Sequence, residues 1–198
     1  MADDAKVDVP ARSGSVYAAP PVEEAVESRT IACIVDNEPG VLARVVGLFS
    51  ARGYNIESLT VAETDIEKHR SRITIVTSGT RSTLEQIELQ LNRLVPVRRV
   101  GNVTDNPNAI EREMGLFKII SEGERRVEAM RLADIFRART IDVSTASLVF
   151  ELTGDKAKID AFRELMVPLG LTEISRTGSL AIRRGQEEGI GDIRRRGD

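Results

Sequence analysis

The sequence predicts an α+β protein of two ferredoxin-like modules, each in the order βαββαβ. Three observations point there. Apolar positions switch between strand and helix spacing in that order over residues 29–104. The same order returns over residues 115–185 with different residues. Between them TDNPNAIERE has the turn and helix-start composition of a linker, placed at 105–114.

In the first module TIACIV (30–35) is a β-branched run that reads as a strand. Val41, Leu42, Val45, Val46 and Phe49 then follow helical spacing, and Gly53 stands just past that helix in a C-cap position. YNIESLTVAE and SRITIVTS read as strands separated by the polar loop TDIEKHR. Leu84, Ile87, Leu91 and Leu94 mark one face of a second helix, and VPVRRVGNV closes the module as a strand that Pro96 assigns to an edge or a start. In the second module GLFKII is a strand, and Val127, Met130, Ile135 and Phe136 belong to a helix. TIDVS and SLVFELTG are strands, Ile159, Phe162, Leu165 and Met166 belong to the second helix, and LTEISRTGSLAIRR ends in strand. The first strand is apolar at both parities, Ile31, Cys33 and Val35 against Ala32 and Ile34, so both faces of its sheet need cover. Helices cover one face. A second copy of the chain, in a symmetric dimer, is the economical cover for the other, with packing between the two modules as the alternative.

Residues 1–28 mix Pro, Ala and Ser with Asp3, Asp4, Asp8, Glu23, Glu24 and Glu27 and show no periodicity, so they read as a disordered leader. They lack the apolar core of a secretory signal and are too acidic for a transit peptide, which favours the cytoplasm. Residues 186–198 read as a flexible tail, and its basic run Arg194, Arg195 and Arg196 is given no role. No stretch approaches the roughly 18 apolar residues of a membrane span. A net charge of -3 and a pI near 5.5 give no general reason to bind nucleic acid or an anionic membrane. Cys33 is the single cysteine, which excludes disulfides and thiolate metal sites within one chain.

Nothing in the sequence assembles a catalytic residue set or a metal site. His69 is the single histidine and sits in the polar TDIEKHR loop, and neither HExxH nor GxSxG occurs. GTRSTLEQ has one glycine and no GK[ST]. The remaining motif is DNEPGVL (36–42), at the junction of the first strand and first helix. Pro39 suits the first helical position, Gly40 lets an anion approach the N–H groups of the first turn, and the Asn37 amide both donates and accepts. That combination is a socket for a zwitterion; the plain alternative is a strand-to-helix turn with a competent cap.

DNEPGVLARVVGLFSARGYNIESLTVAETD, with SRITIVTSG, LEQIELQLNRLVPVRRV and FRARTIDVS, closely resembles the regulatory small subunits of acetolactate synthase, also called acetohydroxyacid synthase, over roughly residues 29–185. The resemblance implies that the first module is an ACT domain and the second another ferredoxin-like domain. It implies a non-catalytic chain that binds a large catalytic subunit, raises its activity and confers feedback inhibition by valine or another branched-chain amino acid. The catalytic partner is expected to carry thiamine diphosphate, magnesium and FAD, with no cofactor on this chain. The effector is expected at a homodimer interface, between the loop matching Asn37 and Gly40 of one copy and Asn55 and Ile56 of the other, with Val41, Leu42 and Ile56 lining an aliphatic pocket. The plain readings are that Asn55 tolerates an unusual backbone angle and that the three aliphatic residues are core. The long leader and the charged loop depart from the family pattern. Two rivals are a free-standing ACT sensor of some other enzyme or a transcription factor, which the second module opposes, and an enzyme in its own right, which the lack of a nucleophile-base pair opposes.

Overall fold

The structure, a computed structural model, describes residues 25–105 and 109–184. Strand β1 (Glu27–Asp36), helix α1 (Val41–Arg52), β2 (Ser58–Asp65), β3 (Arg70–Gly79), α2 (Arg81–Leu91) and β4 (Val97–Asn102) form the first module. The second contains β5 (Ile110–Ile120), α3 (Gly123–Phe136), β6 (Arg139–Val143), β7 (Ser147–Gly154), α4 (Lys156–Met166), a 3-10 turn (Val167–Leu169) and β8 (Leu171–Arg176), and β9 (Leu180–Ile182) follows. The sheets run β2-β3-β1-β4 and β6-β7-β5-β8, antiparallel throughout, which is the arrangement βαββαβ order dictates. Most of the leader and the whole 186–198 tail lie outside the described residues. Both module starts differ from the sequence reading. Glu27 and Ser28 belong to β1, where they pair with Gly79 and Ser78, and β5 starts at Ile110, inside the stretch read as linker.

The two modules share a local device at the start of their second helices. Gly79-Thr80 and Gly154-Asp155 each end a strand and cap the helix that follows. The Thr80 hydroxyl accepts from the Thr83 N–H at 3.3 Å, and the Asp155 carboxylate from the Lys158 N–H at 2.8 Å. Each module then buries its own core. The first gathers Ile31, Cys33 and Val35 with Val45, Phe49, Ile73, Ile75, Leu84, Ile87 and Leu91. The second is organised around Phe162, whose ring meets Phe117, Phe136 and Phe150 at centroid distances of 4.9, 5.2 and 6.3 Å. In α3 the buried residues are Ala129 and Ala133, with Leu132 and Phe136 half-buried, whereas Val127, Met130 and Ile135 point outward. Large rings already fill the space beneath this helix, so small residues face it. In α4, Ile159, Phe162 and Met166 are buried while Leu165 is exposed.

The other face of β1 is covered by the same chain, not by a second copy. The outermost residues of β5, Ile110–Arg112, pair with β9, and Ala181 of β9 is buried with Ala32, Ile34 and Val103, with Ala109 packed beside them. The connection is pinned as well: the Thr30 N–H donates to Thr104 at 2.7 Å, and the Asn102 side chain bonds both Asp105 and the Thr104 N–H. Arg72 donates to the Ala181 carbonyl at 2.9 Å and Arg183 to the Asn102 carbonyl at 2.8 Å. The two modules are thus docked by a short ribbon lying across the first sheet. Among the described residues no helix is long and apolar enough to cross a membrane.

Candidate functional site

The loop between β1 and α1 follows directly from its residues. Pro39 and Gly40 are the central pair of a turn closed by the Val41 N–H donating to the Glu38 carbonyl at 3.3 Å. Proline at the first centre and glycine at φ 85, ψ -2 at the second are what a type II turn demands. That left-handed angle cannot be part of a helix, so α1 starts at Val41 with Gly40 as its cap. Pro39 therefore lies in the preceding turn and not at the first helical position that the sequence suggests. No side chain caps α1, and a Cβ built on Gly40 meets nothing within 4 Å. The positive end of the helix is open to an anion.

The loop is held from three sides. Arg98 grips Asp36 with a contact of 2.6 Å, and these hydrogen bonds hold the Asp36 carboxyl below the usual carboxylate range against the opposing effect of burial. The Asn37 N–H donates to the His69 carbonyl at 2.7 Å. Its side-chain Nδ2 donates to Glu63 at 3.3 Å, which leaves Oδ1 as an acceptor. Glu38 pairs with Arg44 at 3.0 Å. Neither Glu63 nor Arg98 stands out in the sequence. The register of β3 against β1, with Arg70 opposite Asp36, brings the 65–69 hairpin to this loop. His69 is exposed, with a left-handed φ of 46, and its backbone is the part that acts.

The second expected half-site is set by the other end of α1. The Gly53 N–H donates to the Ser50 carbonyl at 3.3 Å and the Tyr54 N–H to the Phe49 carbonyl at 3.0 Å, the paired bonds of a Schellman closure with Gly53 at φ 67. The Phe49 and Tyr54 rings meet edge-to-face, 6.0 Å apart. The chain then turns outward at Asn55, whose carbonyl accepts from the buried Thr77 hydroxyl at 2.6 Å, and Ile56 packs half-buried on the first core. Tyr54 and Asn55 are occupied by this closure, so β2 starts at Ser58 and not at Tyr54.

The named residues fall into two groups. Asn37, Gly40, Val41 and Leu42 stand at the N-terminal end of α1, with Val41 buried in the core and Leu42 exposed, while Asn55 and Ile56 stand at the other end. The 12-residue helix between them spans about 18 Å. One copy of the chain cannot fold these groups into one pocket. Elsewhere, Cys33 is buried, which pushes its thiol up to about 12 and makes it unreactive. Among the described residues no group of three or more His, Cys, Asp or Glu side chains is arranged to hold a metal ion.

Residues 31–99 match the family described as the AHAS small subunit-like ACT domain, and residues 112–185 the small subunit of acetolactate synthase. The chain is 46% identical to the probable acetolactate synthase small subunit of Archaeoglobus fulgidus over 159 residues, 80% of this chain and 98% of that one. It is 46% identical to the Haemophilus influenzae small subunit over 160 residues, covering 80% of this chain and 97% of the relative. The crystal structure of the acetolactate synthase small subunit from Thermotoga maritima superposes with a TM-score of 0.74 at 38% identity, over 81% of this chain and 99% of that one. The likeness extends through both modules, and the chain belongs to the acetolactate synthase small-subunit family.

Proposed function

We propose that this chain binds the large catalytic subunit of an acetolactate synthase, raises its activity, and confers feedback inhibition by valine, or by leucine or isoleucine. In this reading the effector is held between the ACT modules of two copies. The observation that carries the dimeric site is the separation of Asn37 and Gly40 from Asn55 and Ile56 by the length of α1. Two copies with their α1 ends opposed unite what one copy keeps apart.

The chemistry of the halves is complementary. The uncapped N–H groups after Gly40 suit the effector carboxylate. Asn37 Oδ1, with the Glu63 carboxylate beside it, suits the ammonium. Exposed Leu42 and half-buried Ile56 offer aliphatic surface to the side chain, while Val41 supports the loop from within the core. Thiamine diphosphate, magnesium and FAD belong in this reading to the catalytic partner, which does the chemistry. This chain supplies binding and control.

The test is reconstitution. Purified large subunit is assayed for acetolactate formation from pyruvate, alone and with this chain, and then with each of the three amino acids. The expected result is a higher rate on adding the chain and a lower one on adding one of the amino acids. A large subunit whose rate the chain does not change would overturn the activating role; a stimulated rate insensitive to all three would overturn the effector assignment.

A further inference from the structure

The residues that follow Asn55 and Ile56 without a gap are among those that touch the second module. Glu57 accepts from Lys156, the first residue of α4, at 2.9 Å, and also from Ser78. The Ser58 hydroxyl accepts from the Ser179 N–H at 3.1 Å, and the Thr60 hydroxyl donates to the Ser179 carbonyl at 3.5 Å. Gly178, at φ 82, lies so close that a Cβ there would stand 2.5 Å from the Ser58 hydroxyl oxygen. Between these contacts lies a cleft of about 520 Å³ lined by Glu57, Ser58, Glu113, Lys156 and Arg176 among others. Beneath it Arg176 clamps Glu113 at 2.6 Å and Asp160 of α4 at 2.7 Å, so the Lys156 end of α4 is fixed to the second sheet.

We propose that Glu57–Thr60 and the strap Gly178–Ala181 are a relay, through which occupancy of the Asn55–Ile56 half-site changes how the second module sits on the first. This rests on the effector reading above. A shift of the backbone at Asn55 is carried by continuous chain into Glu57 and Ser58. Those residues hold α4 and the strap through polar contacts, which can exchange partners without opening either core. The cleft gives the facing surfaces room to close or part. Ala181 is the strap residue that inserts into the apolar cluster under β1, so it acts as the pivot.

The experiment uses the full chain with its catalytic subunit. Lys156→Glu sets like charges against Glu57, Gly178→Ala drives the strap off Ser58, and Glu57→Lys combined with Lys156→Glu restores a pair of opposite sign. Binding of valine, leucine and isoleucine to each chain is measured by calorimetry, and holoenzyme activity is followed to saturating amino acid. Lys156→Glu and Gly178→Ala are expected to bind the effector within about threefold of the unaltered chain and to activate normally, yet to lose at least half of the maximal inhibition. The charge-swapped pair is expected to recover it. Unaltered maximal inhibition in both single variants overturns the relay alone. An unaltered chain that binds none of the three amino acids overturns the effector reading, and the relay with it.

Discussion

Gly40→Asp tests the candidate effector loop most directly. The glycine holds φ 85, where an L-residue costs about 1–2 kcal/mol, although aspartate is among the residues that tolerate it best. Its new Cβ meets nothing within 4 Å, so no clash is added. The new carboxylate sits at the uncapped N-terminus of α1, which returns about 0.3–1 kcal/mol. The net loss of stability is therefore about 1 kcal/mol, and the protein stays folded. Effector binding is affected far more. The added carboxylate occupies the helix end that the effector's carboxylate needs, and losing one hydrogen bond to a charged group costs about 1.5–3 kcal/mol, roughly tenfold to a hundredfold in affinity. Gly40→Ala carries the strain without the charge and separates the two causes. Calorimetric titration of the isolated chain, and holoenzyme activity against amino-acid concentration, read the outcome. Activation by the chain is expected to survive, because an effector acts only through its own differential binding. Inhibition curves of Gly40→Asp that superimpose on those of the unaltered protein, in a chain shown to be folded, would refute the loop as the effector site.

Ile34→Lys buries a charge under the β9 ribbon, so urea unfolding should show a loss of about 3 kcal/mol or more with no change of oligomeric state by light scattering. Gly170→Ala, at φ 103, sets a Cβ 2.2 Å from the Ile120 carbonyl oxygen and should destabilise the second module by about 3 kcal/mol, seen as a lowered Tm. Arg137→Gly should do the opposite: Arg137 closes α3 at φ 58, and removing that strain outweighs the extra unfolded-state entropy of glycine by about 0.5 kcal/mol in urea unfolding. Asp36, held down first by its hydrogen bonds to Arg98, and Glu57, by those to Ser78 and Lys156, have folded pKa values below their unfolded ones. Their contribution is present above the ordinary carboxylate range, about pH 4, and is lost as pH falls through the lowered folded values. The urea midpoint should therefore drop below about pH 4, less so in Asp36→Asn, and an equal acid loss in that variant would contradict the assignment.

The alternation of strands and helices is legible in the sequence because each element shows its buried face through large apolar residues at the right period. It does not show which residues are buried where small ones take that role. Val127, Met130 and Ile135 do lie in α3, as their pattern indicates, but its buried side is Ala129 and Ala133. β9 is legible as the strand that ends LTEISRTGSLAIRR, but not the way it packs: its buried residue is Ala181, while Leu180 and Ile182 are exposed. The double-sided apolar run of β1 correctly announces two covered faces, but periodicity cannot say whose residues cover the second. At the site, Pro39-Gly40 and Gly53 are readable since turn chemistry admits few other residues. Glu63, His69 and Arg98 are not, because strand pairing and not sequence proximity brings the first two beside Asn37 and the third beside Asp36.

The ribbon across the first sheet imposes an order on synthesis. The first module's last strand ends at Asn102, while Ala181, which seals Ala32 and Ile34, arrives about 80 residues later. At about 5–20 residues per second the ribosome takes roughly 4–16 s to cover that interval, and the nascent first sheet then shows an unsealed apolar stripe. A chain that terminates before Gly178 would keep that stripe for its lifetime, making it a standing target for chaperones and proteases even though its ACT module holds every strand and helix it requires.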